Sequence, residues 1–139
     1  PPALGNLHWT RRVNEGIPRR LMNDQAHNLP AGDIFARLYD VIEQRKASRP
    51  EESYVASLLA RGPAKMTGKL LEEAAETAHA ALASDRTHLT AELCDLLFHA
   101  FVLAASQGVE LADIAAELDR RFGTSGHAEK AARKENGHA

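Results

Sequence analysis

Apolar residues recur at helical spacing along the chain from residue 33 onward, and no segment shows the apolar–polar alternation of a half-buried strand. Proline, glycine and short polar segments divide this pattern into separate stretches. The pattern predicts five helices and a short sixth one, over residues 33–47, 51–60, 64–83, 87–107, 110–122 and 125–133. The predicted fold class is therefore all-α, a helical bundle of about five to six helices.

Residues 1–32 do not share this periodicity. They contain four arginines and the only tryptophan, Trp9, and three of their first eighteen positions are proline. We interpret residues 1–32 as an irregular N-terminal arm or extension and residues 33–139 as one all-α domain. An alternative role for the arm is a basic clamp over phosphates.

Two pairs of carboxylates occur in the third and fourth predicted helices. Glu73 and Glu76 are three residues apart, as are Glu92 and Asp95, so each pair shares one face of its helix. The only loop-like break between the pairs is at residues 84–86, midway between them. If the helices form a hairpin that turns there, both pairs lie about 14 Å from the turn, at a rise of roughly 1.5 Å per residue. The sequence therefore predicts that four carboxylates converge.

The helix predicted over residues 87–107 carries Glu92 and Asp95 as its only charged side chains. Apolar side chains cover most of its circumference, and the two acids share one polar sector with His99. Such a helix is expected to be buried, and buried carboxylates cost several kcal/mol each unless a positive charge compensates them. A divalent cation would do so, and a ligand set made only of oxygen favours Mg²⁺ or Mn²⁺.

The third predicted helix allows two interpretations. Its Glu-Glu-x-x-Glu motif is common on solvated helices and could form an ordinary charged face. Lys69 lies four residues before Glu73, where it could form an intrahelical ion pair or contact a substrate phosphate. The buried face of this helix is predicted to consist of Met66, Leu70, Ala74, Ala78 and Ala81.

Composition narrows the class of protein. The chain has 139 residues, 44% of them hydrophobic, and a net charge of −2, which gives no reason to expect nucleic acid or a membrane as a partner. No run of residues is expected to span a membrane, and the first residues lack the apolar core of a signal peptide. The single cysteine, Cys94, cannot form an internal disulfide and is expected to be a small core residue, which fits a reducing cytoplasm.

The sequence contains neither a glycine-rich phosphate loop nor a nucleophile elbow. Covalent catalysis is therefore not expected. The chemistry that remains is metal-assisted hydrolysis, in which a cation holds phosphates and activates water.

These motifs resemble a known family. The order Glu-Glu-x-x-Glu, a gap and then Glu-x-x-Asp is similar to the all-α nucleotide pyrophosphatase superfamily, the MazG-like enzymes, in which such carboxylates bind Mg²⁺. Within that superfamily the chain most resembles the phosphoribosyl-ATP pyrophosphatases of histidine biosynthesis, over about residues 34–134. The resemblance rests on PEESYVASLLARG (50–62), KLLEE (69–73), AELCDLLFH (91–99) and SGHAEKAARK (125–134).

The resemblance implies a cytoplasmic hydrolase that cleaves phosphoribosyl-ATP with Mg²⁺, or with Mn²⁺, and that completes its helical bundle as a homodimer or larger homo-oligomer. The metal ligands it implies are Glu73, Glu76, Glu92 and Asp95. The catalytic candidates are Glu72 and Glu73, and Glu72, which lies outside the Glu73/Glu76 pair on the helical wheel, could act as the base, support a metal ligand or belong to the surface. Its candidates for substrate binding are Tyr54, Lys65, Lys69, Arg121, Lys130 and Arg133, although Tyr54 also fits the edge of a core and the basic residues also fit a solvated surface.

Three alternatives remain open on the sequence. A MazG-like house-cleaning nucleoside triphosphate pyrophosphatase would use the same acids on a different nucleotide. A di-iron or di-manganese protein would use Glu76 and His79 as a Glu-x-x-His motif, supplied twice by a dimer. A non-catalytic helical interaction module would match the buried acids with the cations of a partner.

Overall fold

The computed structural model describes residues 31–122 of the chain, apart from the side chain of Ala31. It contains five helices and no strand within that range, which confirms the all-α prediction. The predicted sixth helix and the predicted arm, up to residue 30, lie outside the described residues. The helices are α1 (Ala31–Arg45), α2 (Tyr54–Ala60), α3 (Pro63–Leu82), α4 (Arg86–Ser106) and α5 (Leu111–Phe122).

The starts of the first two helices differ from the predicted ones. Helix α1 begins at Ala31, and Asp33 lies in its first turn, where the helix dipole stabilises a carboxylate. Helix α2 begins at Tyr54, three residues later than predicted. Its N-cap is Ser53, whose hydroxyl accepts a hydrogen bond from the backbone N–H of Ala56 at 3.3 Å.

Within the described residues the chain divides into two compact units, residues 31–108 and residues 109–122. In the first unit, α3 and α4 form a helical hairpin that turns at residues 83–85, as the sequence predicts. Ser84 has a φ of 57°, and the Asp85 carboxylate caps α4 by accepting a hydrogen bond from the His88 backbone N–H at 3.0 Å. Helix α1 packs mainly on α4, and α2 packs on α3 and α1.

An apolar core joins these four helices. Ile42 of α1, Leu58 of α2 and Phe98 of α4 are almost completely buried. The Tyr54 ring stacks on Phe98 with 6.1 Å between ring centroids, which fixes α2 beside the middle of α4. Truncating a buried phenylalanine such as Phe98 to alanine costs about 3–5 kcal/mol.

The predicted buried face of α3 is wrong for three of its five members. Ala74, Ala78 and Ala81 are exposed, and the buried residues are Met66, Glu73 and Ala80. Their seven-residue spacing places them on one narrow stripe of the helix. The prediction assumed that the alanines would be buried because they are apolar, whereas α3 packs through a stripe that has a carboxylate at its centre.

Helix α4 is buried on one side only. Its buried residues include Glu92, Asp95 and Phe98, whereas Leu93 and Leu97 are 42% and 38% exposed. Cys94 lies on the same open side, so the expectation that it is a small core residue is wrong. The apolar circumference of α4 therefore exceeds what the other described residues cover.

Helix α4 also bears on the question of a membrane. By length and composition it is the one helix among the described residues that could cross a membrane, which corrects the expectation that no run is long enough. Core helices of soluble proteins share these properties, and α4 buries two carboxylates against neighbouring helices. The helix is therefore weak evidence for a membrane.

The second unit is described over α5 alone. No residue of this helix is buried, and Leu118 and Phe122 are largely exposed. On its polar side, Glu117 accepts hydrogen bonds from the side chains of Arg120 and Arg121, at 2.7 Å each.

Candidate metal centre

Three carboxylates from the two hairpin helices converge. Glu73 of α3 and Glu92 and Asp95 of α4 each offer a carboxylate oxygen, and these oxygens lie within 4.8 Å of one another. The three residues are 3%, 1% and 3% exposed. Helical spacing places Glu92 and Asp95 on one face, and the turn at residues 83–85 sets the register that brings Glu73 opposite them. We call these three residues the carboxylate cluster.

One cation lies against the cluster. The Lys69 ammonium is 3.0 Å from Glu73 Oε1 and 3.0 Å from Glu72 Oε2. Burial lowers the pKa of Lys69, but the hydrogen bonds to Glu72 and Glu73 outweigh it and raise the pKa above its ordinary value, so the lysine stays charged. A single ammonium shared between two glutamates does not neutralise three buried carboxylates.

Two oxygens of the cluster have no hydrogen-bond partner among the described residues. They are Glu73 Oε2 and Asp95 Oδ1, and both are buried. Leaving a buried acceptor unsatisfied costs about 1–3 kcal/mol, and more when the acceptor is charged. These oxygens are therefore the atoms that a bound cation would be expected to satisfy.

The charges within the cluster oppose ionisation. Burial, with the charges of Glu73, Glu92 and Glu76, raises the pKa of Asp95 from an ordinary 3.8 to about 7. Burial also raises the pKa of Glu73, although Lys69 counteracts part of that effect. Since a cation would reverse this imbalance, the electrostatics fit a divalent ion.

Glu76, the fourth predicted ligand, is not a member of the cluster. It is half-buried on α3, one turn after Glu73. Its charge contributes to the raised pKa of both Asp95 and Glu73, so it lies close to the cluster's edge. The described structure thus brings together three of the four acids that the sequence predicts to converge.

His99 lies beside the cluster. Its Nε2 is 3.7 Å from Glu73 Oε1, and its ring packs edge-on against Tyr54 and Phe98. Burial, followed by the charge of Lys69, lowers the pKa of His99 from 6.5 to about 4, so the imidazole is neutral at pH 7. The polar sector that the sequence predicts for His99 thus lies against Glu73 of α3 and the aromatic core.

His88 is a contact that sequence reasoning missed. Its Nε2 lies 2.8 Å from Glu92 Oε1, and the histidine side chain is half-exposed. The signal that could have found it is the spacing, since position 88 lies one helical turn before Glu92 on the same face.

The predicted substrate-binding residues are dispersed. Lys65 is exposed on α3, two turns before the cluster. Arg121 is half-exposed and paired with Glu117 on α5. Lys130 and Arg133 lie outside the described residues. Glu72, the second catalytic candidate, is half-exposed and paired with Lys69.

Tyr54 combines the two roles that the sequence left open. It is half-buried and stacks on Phe98, as a residue at the edge of a core does. It also lines an open pocket of about 370 Å³ on the surface around the start of α2. The other residues that line this pocket are Pro50, Glu51, Glu52, Ser53, Ser57 and Arg61.

The donor set bears on the identity of a cation. Among the described residues, the cluster is the group of potential ligands that converges, and all its donors are carboxylate oxygens. His79, which a di-iron site would require, is exposed and is not part of this group. Such hard oxygen donors suit a divalent cation that prefers oxygen ligands.

Comparison with known proteins finds one family model and several relatives that match most of the described residues. A family model described as phosphoribosyl-ATP pyrophosphohydrolase matches residues 35–122, which include the whole cluster. A phosphoribosyl-ATP pyrophosphatase of Rhizorhabdus wittichii is 57% identical over 97 residues, which cover 70% of this chain and 92% of the relative. Proteins of the same name from Novosphingobium aromaticivorans and Zymomonas mobilis are 51% and 48% identical, over 73% of this chain and 95% and 94% of the relatives.

Proposed function

Because the chain belongs to the phosphoribosyl-ATP pyrophosphohydrolase family, we propose that it hydrolyses phosphoribosyl-ATP to phosphoribosyl-AMP and pyrophosphate in histidine biosynthesis. The observation that carries this proposal is the carboxylate cluster, which lies inside the matched segment and is buried without enough positive charge to balance it. Buried charge of this kind is typical of a functional site.

Glu73, Glu92 and Asp95 would hold a divalent cation, for which we propose Mg²⁺, with Mn²⁺ as a substitute. The unsatisfied oxygens Glu73 Oε2 and Asp95 Oδ1 support this assignment. When bound, such an ion holds phosphate oxygens, withdraws charge from the anhydride and makes a bound water more acidic. We propose Glu76 as a further ligand, because its charge already acts on the cluster from the edge.

Lys69 and Glu72 have separate proposed roles beside the metal ligands. Lys69 holds Glu73 at 3.0 Å and keeps the local charge from becoming more negative. Of the two catalytic candidates, Glu73 is a proposed ligand, so we assign Glu72 the role of accepting a proton from the attacking water. Glu72→Gln should then lower kcat and leave Mn²⁺ affinity unchanged, whereas Glu73→Gln should weaken Mn²⁺ binding as well.

We further propose that Tyr54, Lys65, Lys69, Arg121, Lys130 and Arg133 contact the substrate. Triphosphate and phosphoribosyl groups carry several negative charges, which cations near a metal site can bind. For Tyr54, the support is its place on the wall of the pocket around the start of α2.

We propose a cytoplasmic homodimer or larger homo-oligomer, without nucleic acid or membrane as a partner. The support is the open apolar side of α4, where Leu93 and Leu97 are exposed. Leu97→Arg should reduce the mass measured by analytical ultracentrifugation. Leu82→Arg is the matched control, because Leu82 is an exposed leucine at the end of a different helix, α3.

A substrate panel with Mg²⁺, in which pyrophosphate release is measured, tests the activity. Phosphoribosyl-ATP should be cleaved with a far higher kcat/KM than ATP, dUTP or dCTP, and the Glu92→Gln variant should be inactive on all four. Equal or faster turnover of a canonical triphosphate would instead support a house-cleaning pyrophosphatase. Absence of hydrolysis throughout the panel would overturn the enzymatic proposal.

A further inference from the structure

The two glutamates of the carboxylate cluster are held in the same way. Lys69 precedes Glu73 by four residues and lies 3.0 Å from its Oε1. His88 precedes Glu92 by four residues and lies 2.8 Å from its Oε1. Asp95 has alanine at the corresponding position, Ala91, and its Oδ1 has no partner among the described residues. Each glutamate is therefore tethered from one helical turn earlier, and the aspartate lacks such a tether.

The His88–Glu92 pair joins a solvent-facing group to a buried one. The His88 side chain is 49% exposed and that of Glu92 is 2% exposed. A carboxylate oxygen accepts hydrogen bonds, so the Nε2–H tautomer of His88 donates to Glu92 Oε1. This bond restrains the Oε1 end of the Glu92 carboxylate from the solvent-facing side of α4.

The N-cap of α4 holds the backbone of His88 in place. The backbone N–H of His88 donates to the Asp85 carboxylate at 3.0 Å, so His88 lies in the capped first turn of the helix. A tether anchored in a capped turn holds its partner better than one on a fraying end. His88 is not a member of the cluster, so its contact to the site passes through Glu92.

We propose that His88 is a positioning residue for the cation site, in which its Nε2–H holds the Glu92 carboxylate in the orientation that binds a divalent ion. This inference rests on the proposed metal site. Groups that orient a metal-binding carboxylate commonly contribute about 10- to 100-fold to metal affinity. His88 would therefore change the affinity for the metal ion without contacting the substrate.

Calorimetric titration of the metal-free full-length protein with Mn²⁺ tests the proposal. His88→Ala should weaken Mn²⁺ binding about tenfold. His88→Gln, which keeps an N–H donor at similar reach, should restore most of the affinity. His79→Ala is the matched control, because His79 is exposed on α3, and it should bind as the wild type does. In a Glu92→Gln background, His88→Ala should add no further loss.

A second measurement needs no metal. In long-range ¹H–¹⁵N spectra, the neutral form of the His88 imidazole should carry its proton on Nε2 more completely than that of the exposed His79 does, and Glu92→Ala should remove this difference. A proton on Nδ1 in the wild type, or undiminished Mn²⁺ affinity in His88→Ala, would overturn the proposal. So would a tenfold loss that persists in the Glu92→Gln background, since it would mean a structural role. A wild type that binds no Mn²⁺ would overturn the metal site itself, and the role of His88 with it.

Discussion

Two carboxylates in this chain, Glu117 and Asp95, meet opposite surroundings. Glu117 on α5 accepts hydrogen bonds from Arg120 and Arg121, and these bonds lower its pKa from 4.5 to about 2. Asp95 on α4 is buried, has an oxygen without a partner among the described residues, and has a pKa raised to about 7 by burial and by neighbouring acids. Glu117 therefore forms ion pairs with two arginines, whereas Asp95 forms none among the described residues.

This contrast shows how the two kinds of acid can be told apart. An exposed acid with two guanidinium partners is satisfied by the fold, although solvent screening makes such a pair contribute little to stability. A buried acid that faces two other acids costs stability unless a ligand compensates it. The carboxylate cluster therefore has the features of a site that is completed by something bound to it.

The largest expected effect is on catalysis. Asp95→Asn keeps the shape of the side chain but removes its charge, so hydrolysis of phosphoribosyl-ATP should fall about 100- to 1,000-fold, a loss of several kcal/mol of transition-state stabilisation. Asp40→Asn, the same substitution at an exposed position of α1, is the control and should leave kcat/KM unchanged. Full activity in Asp95→Asn would remove Asp95 from the site.

The next effect is the pH dependence of metal binding. A cation must displace the proton that Asp95 carries below its pKa of about 7, so metal affinity should be nearly constant above pH 8 and fall about tenfold per pH unit below pH 7. Between pH 8 and pH 5, Mn²⁺ affinity measured by calorimetry should drop about 100-fold. Asp95→Asn should show weaker binding and a shallower slope. An equal slope in both proteins would assign the proton to another group.

The smallest effect is on the stability of the metal-free protein. Between pH 3.8 and about 7 the folded protein keeps a proton on Asp95 that the unfolded chain has released, so this group lowers the free energy of unfolding as the pH rises. Asp95→Asn should therefore raise that free energy by about 1–2 kcal/mol at pH 8, and by less at pH 5. Glu117→Gln should lower the free energy of unfolding, and by a smaller amount, because the ionised form of Glu117 is the one that stabilises the fold.

Thermal melts in EDTA at about pH 8 and pH 5 measure whether each substitution raises or lowers the stability of the metal-free protein. His99 contributes in the other direction, because its pKa of about 4 lets the unfolded chain bind more protons than the folded one up to about pH 6.5. Comparing mutant with wild type at each pH cancels most of that contribution. A metal-free Asp95→Asn that melts clearly below the wild type would mean that Asp95 is a satisfied structural residue.

Local sequence rules predicted the hairpin well. The helical periodicity, the break at residues 84–86 and the three-residue spacing of the acids were enough to bring Glu73 opposite Glu92 and Asp95. These features depend on helix geometry and on a short connection, both of which can be read from neighbouring residues.

Features set by distant packing could not be predicted in the same way. The alanines of α3 gave no information on which stripe would be buried, because alanine is tolerated at both exposed and buried positions of a helix. The exposure of Cys94 depends on a surface that no other part of the described chain covers. The contact between His88 and Glu92 follows helical spacing, but spacing alone does not show that Glu92 would be buried beside an exposed histidine.

A crystal structure of the full-length protein grown with Mn²⁺ would test the central claim most directly, because Mn²⁺ takes the same oxygen ligands as Mg²⁺ and scatters anomalously. The account predicts an anomalous peak coordinated by carboxylate oxygens of Glu73, Glu92 and Asp95, with Glu73 Oε2 or Asp95 Oδ1 among its ligands. A Mn²⁺ ion bound elsewhere, with the three carboxylates enclosing no ion, would contradict it.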